Sequence, residues 1–148
     1  MAGDGCEFCA VVRGKEPAEV VLDTDTVIAF LDRRPVFKGH VLVVPREHVE
    51  TLTDLPDALL EPVFAAARLM AATVRTALGS TGSFVAMNNT VSQSVPHLHV
   101  HVVPRTKGDG LRGFFWPRTK YADGEMAEYA DRLRAALDPT SAVGQEPR

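Results

Sequence analysis

Along the first third of the chain, apolar and polar positions form short blocks. Residues 19–32, EVVLDTDTVIAFLD, hold two β-branched and apolar runs around Asp23-Thr24-Asp25, which predicts a β-hairpin turning over a polar tip. A loop, RRPVFKG, leads into HVLVVP at 40–45, a further strand that Pro45 ends or places at an edge. One long helical pattern follows at about 56–78, where Leu59, Leu60, Val63, Phe64, Ala67, Met70, Ala71, Val74 and Leu78 build an apolar stripe suited to lie on a sheet. Asp54 and Pro56 signal its start, and Gly79 or Gly82 its stop. SFVAMN at 83–88 predicts a short strand. A polar loop then leads into PHLHVHVVPR at 96–105, the last predicted strand. A short helix is expected near 123–137, with Met126, Tyr129, Ala130, Leu133 and Leu137 on one side. This order predicts an α+β fold with a mainly antiparallel sheet of about five strands, one long helix and one short helix.

Length and composition add few constraints. The 148 residues suit one domain, placed at 1–138, with a flexible C-terminal tail at 139–148. Apolar residues make up 45% and charged residues 24%, ordinary for a globular protein, and no apolar run reaches membrane-spanning length. The start, MAGDGCEFC, lacks the basic and apolar regions of a signal peptide, so a cytoplasmic location is expected. A net charge of -3 argues against a sequence-independent grip on nucleic acid, which needs Lys and Arg against phosphate.

The candidate chemistry lies in histidine and cysteine. His97, His99 and His101 alternate with Leu98, Val100 and Val102; in a strand this puts the imidazoles on one face, outward, and the apolar residues on the other, against the helix. Three titratable rings in register bring no packing benefit, so two chemistries compete. All three rings can hold a catalytic zinc with an open position, or one can attack substrate and form a covalent intermediate. The two cysteines, Cys6 and Cys9 in C-E-F-C, form half a metal site or a redox pair. Joined by His48 and one triad histidine they would close a four-ligand structural zinc site and leave the other rings free.

The run His97-Leu98-His99-Val100-His101-Val102-Val103 fits the histidine-triad pattern at every position, and the chain resembles the histidine-triad (HIT) superfamily of nucleotide hydrolases and transferases. The C-x-x-C start, AFLDRRPVFKGHVLVVPREH at 29–48, the long helix and N-x-x-x-x-Q-S-V-x-H agree with it in order and spacing. The resemblance implies a HIT-like fold and a nucleophilic His99 that attacks the α-phosphorus of a purine nucleotide derivative of adenosine or guanosine, forming a nucleotidyl-histidine. His101 would contact the phosphate or leaving group and His40 would help fix the rings. Gln93 and Ser94 would donate to phosphate oxygens, Asp32 would hold ribose hydroxyls, and Asn88 would face the phosphate region. It further implies a structural zinc on Cys6, Cys9, His48 and His97, and a homodimer. Phosphoramidates, acyl-adenylates and dinucleoside polyphosphates all occur among family substrates: HVHVVPR and RRPV lean towards Fhit-like members, the C-x-x-C with His48 towards zinc-bearing bacterial ones. A nucleotide-binding or signalling module with little turnover is the alternative. Phe114, Phe115 and Trp116, beside Arg112 and Arg118, form a candidate lid, a subunit contact or a plain packing loop.

Overall fold

The computed structural model describes residues 3–111 and 117–137. It divides into two compact units, Met1–Asp109 and Gly110–Arg148. Phe114, Phe115 and Trp116, with Arg112, lie outside the described residues.

The first unit holds a five-stranded antiparallel sheet in the order β1-β2-β3-β5-β4. β1 (Val20–Asp23) and β2 (Val27–Leu31) form the expected hairpin, with Thr24 closing its tip: the Oγ1 accepts from the Val27 amide at 3.0 Å. β3 (Val41–Pro45) pairs with β2 and with β5 (Val100–Arg105), and β4 (Gly82–Ala86) forms the edge beside β5.

The helix α2 (Asp57–Leu78) stops at Gly79, whose left-handed φ of 70° is a conformation that glycine adopts without side-chain cost. Its buried face is Leu59, Val63, Ala66, Ala67, Met70 and Val74, packed on Val27, Ala29, Val41, Val43, Leu98, Val100 and Val102 of the sheet region. Phe64 and Leu78, assigned to that stripe from sequence, are exposed: the strip in contact with a sheet is narrower than the apolar pattern.

A short helix not expected from sequence, α1 (Glu7–Val12), covers the sheet's other face. Phe8, Cys9 and Val11 from it, and Cys6 at its N-cap, cluster with Ile28, Phe30, Leu42 and Val44, the alternate residues of β2 and β3. Burial on both faces explains why VIAF and VLVV read as continuous apolar runs.

The triad segment departs from expectation in two respects. β5 begins at Val100, so of the three histidines only His101 lies within it. Leu98, Val100 and Val102 do face α2, but the imidazole side is not open, because His97 and His99 are buried. Alternation predicts two faces and carries no information about a cover contributed by a distant helix.

In the second unit, α3 (Glu125–Ala136) begins after Gly124, and the Glu125 carboxylate accepts from the Ala122 amide. None of its residues is buried; Met126, Tyr129, Leu133 and Leu137 are exposed. Among the described residues no helix is long and apolar enough to cross a membrane.

Candidate active site and metal centre

Two groups of side chains meet on the α1 side of the sheet. In the first, Cys6, Cys9, His48 and His97 bring one ligand atom each to within 4.8 Å of one another. The Cys6 Sγ lies 3.5 Å from His97 Nδ1, and the Cys9 Sγ lies 3.4 Å from the same nitrogen and 3.2 Å from His48 Nδ1. With ordinary zinc–sulfur and zinc–imidazole bonds, a tetrahedral site has a sulfur–nitrogen edge of about 3.5 Å, so these separations fit a zinc ion. Hydrogen bonding prepares the donors. His97 donates from Nε2 to the Pro45 carbonyl at 2.8 Å, which leaves a lone pair on Nδ1 facing the sulfurs. Burial, opposed by that carbonyl and helped by His48 and His99, lowers His97 to about 4, so the ring is neutral. Burial and then Cys6 push the Cys9 thiol up to about 11; a bound dication would favour the thiolates instead.

The second group comprises His99, His101, His40 and Asp32, and its protonation is assigned from the hydrogen-bond network. His99 donates from Nδ1 to the His97 carbonyl at 2.7 Å, so its free lone pair is on Nε2. The Val36 amide donates to His40 Nδ1 at 3.1 Å, which places the His40 proton on Nε2, 3.0 Å from His101 Nδ1. His101 therefore accepts at Nδ1 and carries its proton on Nε2. Burial, then His99 and His40, lower His101 to about 4. Burial also lowers His40, against Asp32, whose Oδ2 lies 3.8 Å from Nδ1. The rings of His99 and His101 are 5.0 Å apart.

His99 and His101 line a cleft of about 1170 Å³, which is room for a nucleotide and a leaving group. Phe8, Val11, Phe30, Leu42 and Val95 supply apolar wall; Asp32 and Ser94 line it as well. Asp32 is held by the Arg34 amide, which donates to Oδ1 at 2.9 Å. Carboxylates of Glu7, Glu16, Glu19 and Asp32 outnumber the guanidinium groups of Arg33 and Arg34 along this lining.

Not every residue expected at the site reaches the cleft. His40 stands behind His101. Gln93 is absent from the lining, and its amide braces the loop before the triad, accepting from the Thr90 amide at 2.9 Å and donating to the Glu50 carbonyl at 2.7 Å. Thr90 and Ser92 in this loop have left-handed φ values of 68° and 61°, a strained conformation for non-glycine residues that such bracing maintains. Asn88 lies beyond β4, which stops at Ala86; it is exposed and also outside the lining. The apolar wall has no pattern of its own in the sequence beyond Phe8 between the two cysteines, because its residues come from separate segments.

Comparison with known proteins places the arrangement. The HIT domain family model matches residues 13–108. Protein hit of Bacillus subtilis is 37% identical over 137 residues, covering 90% of this chain and 92% of its own length. The adenosine 5'-monophosphoramidase hnt1 of Schizosaccharomyces pombe is 28% identical over 134 residues, covering 89% and 98%. A zinc-bound histidine triad family protein from Mycobacterium smegmatis superposes with a TM-score of 0.70 at 32% identity, covering 91% of this chain and 99% of that one.

Proposed function

The chain belongs to the HIT domain family, and from that premise we propose that it is a nucleotide hydrolase or nucleotidyl transferase that cleaves at the α-phosphate of a purine nucleotide derivative through a nucleotidyl-histidine on His99. The observation that carries this reading is the Nδ1–H of His99 on the His97 carbonyl at 2.7 Å, which reserves the Nε2 lone pair of a cleft-lining ring for attack.

Nε2 of the neutral ring forms a bond to phosphorus while the bond from phosphorus to the leaving group breaks, its electron pair leaving with that group. The ring becomes cationic, and the His97 carbonyl on Nδ1–H stabilises the charge. His101 offers its Nε2–H as a hydrogen bond to the leaving atom or a phosphate oxygen, positioned through Nδ1 by His40, and an amine leaving group takes up a proton from solvent as its bond to phosphorus breaks. Water then attacks phosphorus, the nitrogen–phosphorus bond breaks with its pair returning to Nε2, and the water proton passes to solvent. A transferase would replace that water with another acceptor.

The base is assigned to the apolar wall and the ribose to Asp32, with Ser94, Gln93 and Asn88 toward the phosphate. For Gln93 and Asn88 this requires a shift on binding. The acidic lining favours a substrate with one phosphate and a substituent that adds no further negative charge to it, such as a phosphoramidate or acyl-adenylate, over a dinucleoside polyphosphate. The activity of the Schizosaccharomyces pombe relative points the same way. In this reading Cys6, Cys9, His48 and His97 hold a structural zinc, supported by their spacing and by the zinc-bound relative. A single HIT domain at 1–138, a homodimer and a cytoplasmic location complete the proposal, carried by the family.

The test uses an adenylate labelled at the α-phosphorus. Acid-labile label accumulates on the wild-type protein and is missing from His99→Ala; an adduct of equal yield in that variant removes His99 from the role. Binding without label or product would instead identify a module with little turnover.

A further inference from the structure

The metal donors and the nucleophile are joined by two short links. The first is α1. A six-residue helix does not hold itself in water, because helix nucleation is unfavourable and so few residues cannot offset it. Cys6 and Cys9 meet His48 and His97, whereas the Phe8 ring between them packs 5.3 Å from Phe30 and 5.1 Å from His99, perpendicular to the latter at 88°. Phe8 is buried and forms part of the cleft wall. The second link is His97 itself, whose ring faces the cysteines and whose carbonyl holds the Nδ1–H of His99. α1 is also tied to the segment after β2 by an ion pair of Glu7 with Arg33, but both side chains are well exposed and such a pair contributes little. Apolar burial of Phe8 and Val11 against Ile28, Phe30, Leu42 and Val44 holds α1 to the sheet, and the sulfur and imidazole donors are the clamp of fixed geometry at its cysteine side.

We propose that Phe8 is a positioning residue through which occupancy of the metal centre sets the orientation of His99 and the closure of the nucleotide cleft, so that metal and nucleotide bind cooperatively. The proposal rests on the reading of His99 as nucleophile and of the cleft as the nucleotide site. With the clamp filled, Phe8 and the His97 carbonyl hold the nucleophilic ring from two sides. With the clamp empty, α1 loosens, the Phe8 wall withdraws and the ring gains freedom to turn.

The experiment titrates adenosine 5′-monophosphate calorimetrically into the full chain, zinc-loaded and chelator-treated, as wild type and as Phe8→Leu. Nitrogen-15 resonances of the His99 ring report its tautomer in parallel. Removing zinc from the wild type is expected to weaken the nucleotide about tenfold, and the nucleotide to tighten zinc by the same factor, since coupling is reciprocal. Phe8→Leu keeps an apolar side chain and its zinc content. It is expected to bind the nucleotide more weakly in the loaded form, to lose little more on chelation, and to show averaged His99 ring nitrogens in place of a single tautomer. Should the chelated chain unfold, the loaded Phe8→Leu protein decides through those resonances and a kcat lowered about tenfold. Equal nucleotide affinity with and without zinc in the folded wild type overturns the coupling, as does a loaded Phe8→Leu protein with wild-type resonances and kcat. Failure of the underlying reading looks different: loaded wild type then binds no nucleotide at all, and the proposal falls with it.

Discussion

The two faces of the sheet around residues 97–102 are built from alternate residues of one segment, yet they are held by different physics. On one, Leu98, Val100 and Val102 pack against a helix of 22 residues in a continuous apolar cluster. On the other, His97 and His99 meet a helix of six residues through ring contacts with Phe8 and a set of sulfur and imidazole donors, beside a smaller apolar cluster, while His101 meets His40. The apolar face has many interchangeable contacts, so damage there spreads into stability. The histidine face has a few contacts of fixed geometry, so a single substitution there removes a defined task, catalysis at His99 or metal holding at His97, and costs stability only where it empties the metal site or unseats a buried ring. A segment of six residues thus carries both the core and the candidate chemistry, with the division set by side-chain parity.

Adjacent residues put that contrast to its hardest test. His99→Ala is expected to reduce turnover by about 10⁴-fold or more while the chain still folds, as removal of an essential nucleophile does. Leu98→Ala is expected to cost about 2–5 kcal/mol in urea unfolding, with turnover per folded molecule retained. If Leu98→Ala abolished turnover in folded protein, the two faces would not be separable. Metal removal probes the polar face alone. Lowering free zinc from about 1,000 times its Kd to none is expected to cost about 4 kcal/mol of unfolding free energy, and Cys9→Ser to remove that dependence. A wild-type stability independent of free zinc would refute the clamp.

The smallest effect comes from pH. His101 has its folded pKa lowered to about 4 from the usual value near 6.5, chiefly by burial. The unfolded chain therefore takes up the proton first, and the folded state loses stability as pH falls from about 6.5 towards about 4, with the full contribution present above that window. His101→Asn is expected to flatten this part of the stability profile, read by denaturant unfolding at a series of pH values. An unchanged slope would mean that burial does not hold the ring neutral.

Much of the scaffold was legible in the chain. The hairpin at Asp23-Thr24-Asp25, the strand at 40–45, the long helix with its Gly79 stop and the five-strand antiparallel sheet all follow from local periodicity and turn residues. α1 is not legible: six residues are too few for a helical period, and nothing in C-E-F-C marks Phe8, or Val11 beyond it, as buried against strands that come later in the chain. The strand was also expected to begin early enough to hold all three histidines. Instead His97 and His99 precede β5, in a run that leaves a bend and whose hydrogen bonds go elsewhere, as when the Leu98 amide donates to the Val49 carbonyl.

The sequence by itself determined the parity of the triad, the alternation that sends Leu98, Val100 and Val102 to the core, and the residue types able to hold a metal or attack phosphorus. These are properties of a residue and its near neighbours. Only the tertiary structure decided that the imidazole face is covered by α1, that Cys6 and Cys9 reach His97 across 91 and 88 positions of chain, and which ring nitrogen of His97 and of His99 keeps its lone pair. The physical reason is that burial and tautomer depend on the atoms packed against a ring, and those come from segments whose approach no local pattern encodes.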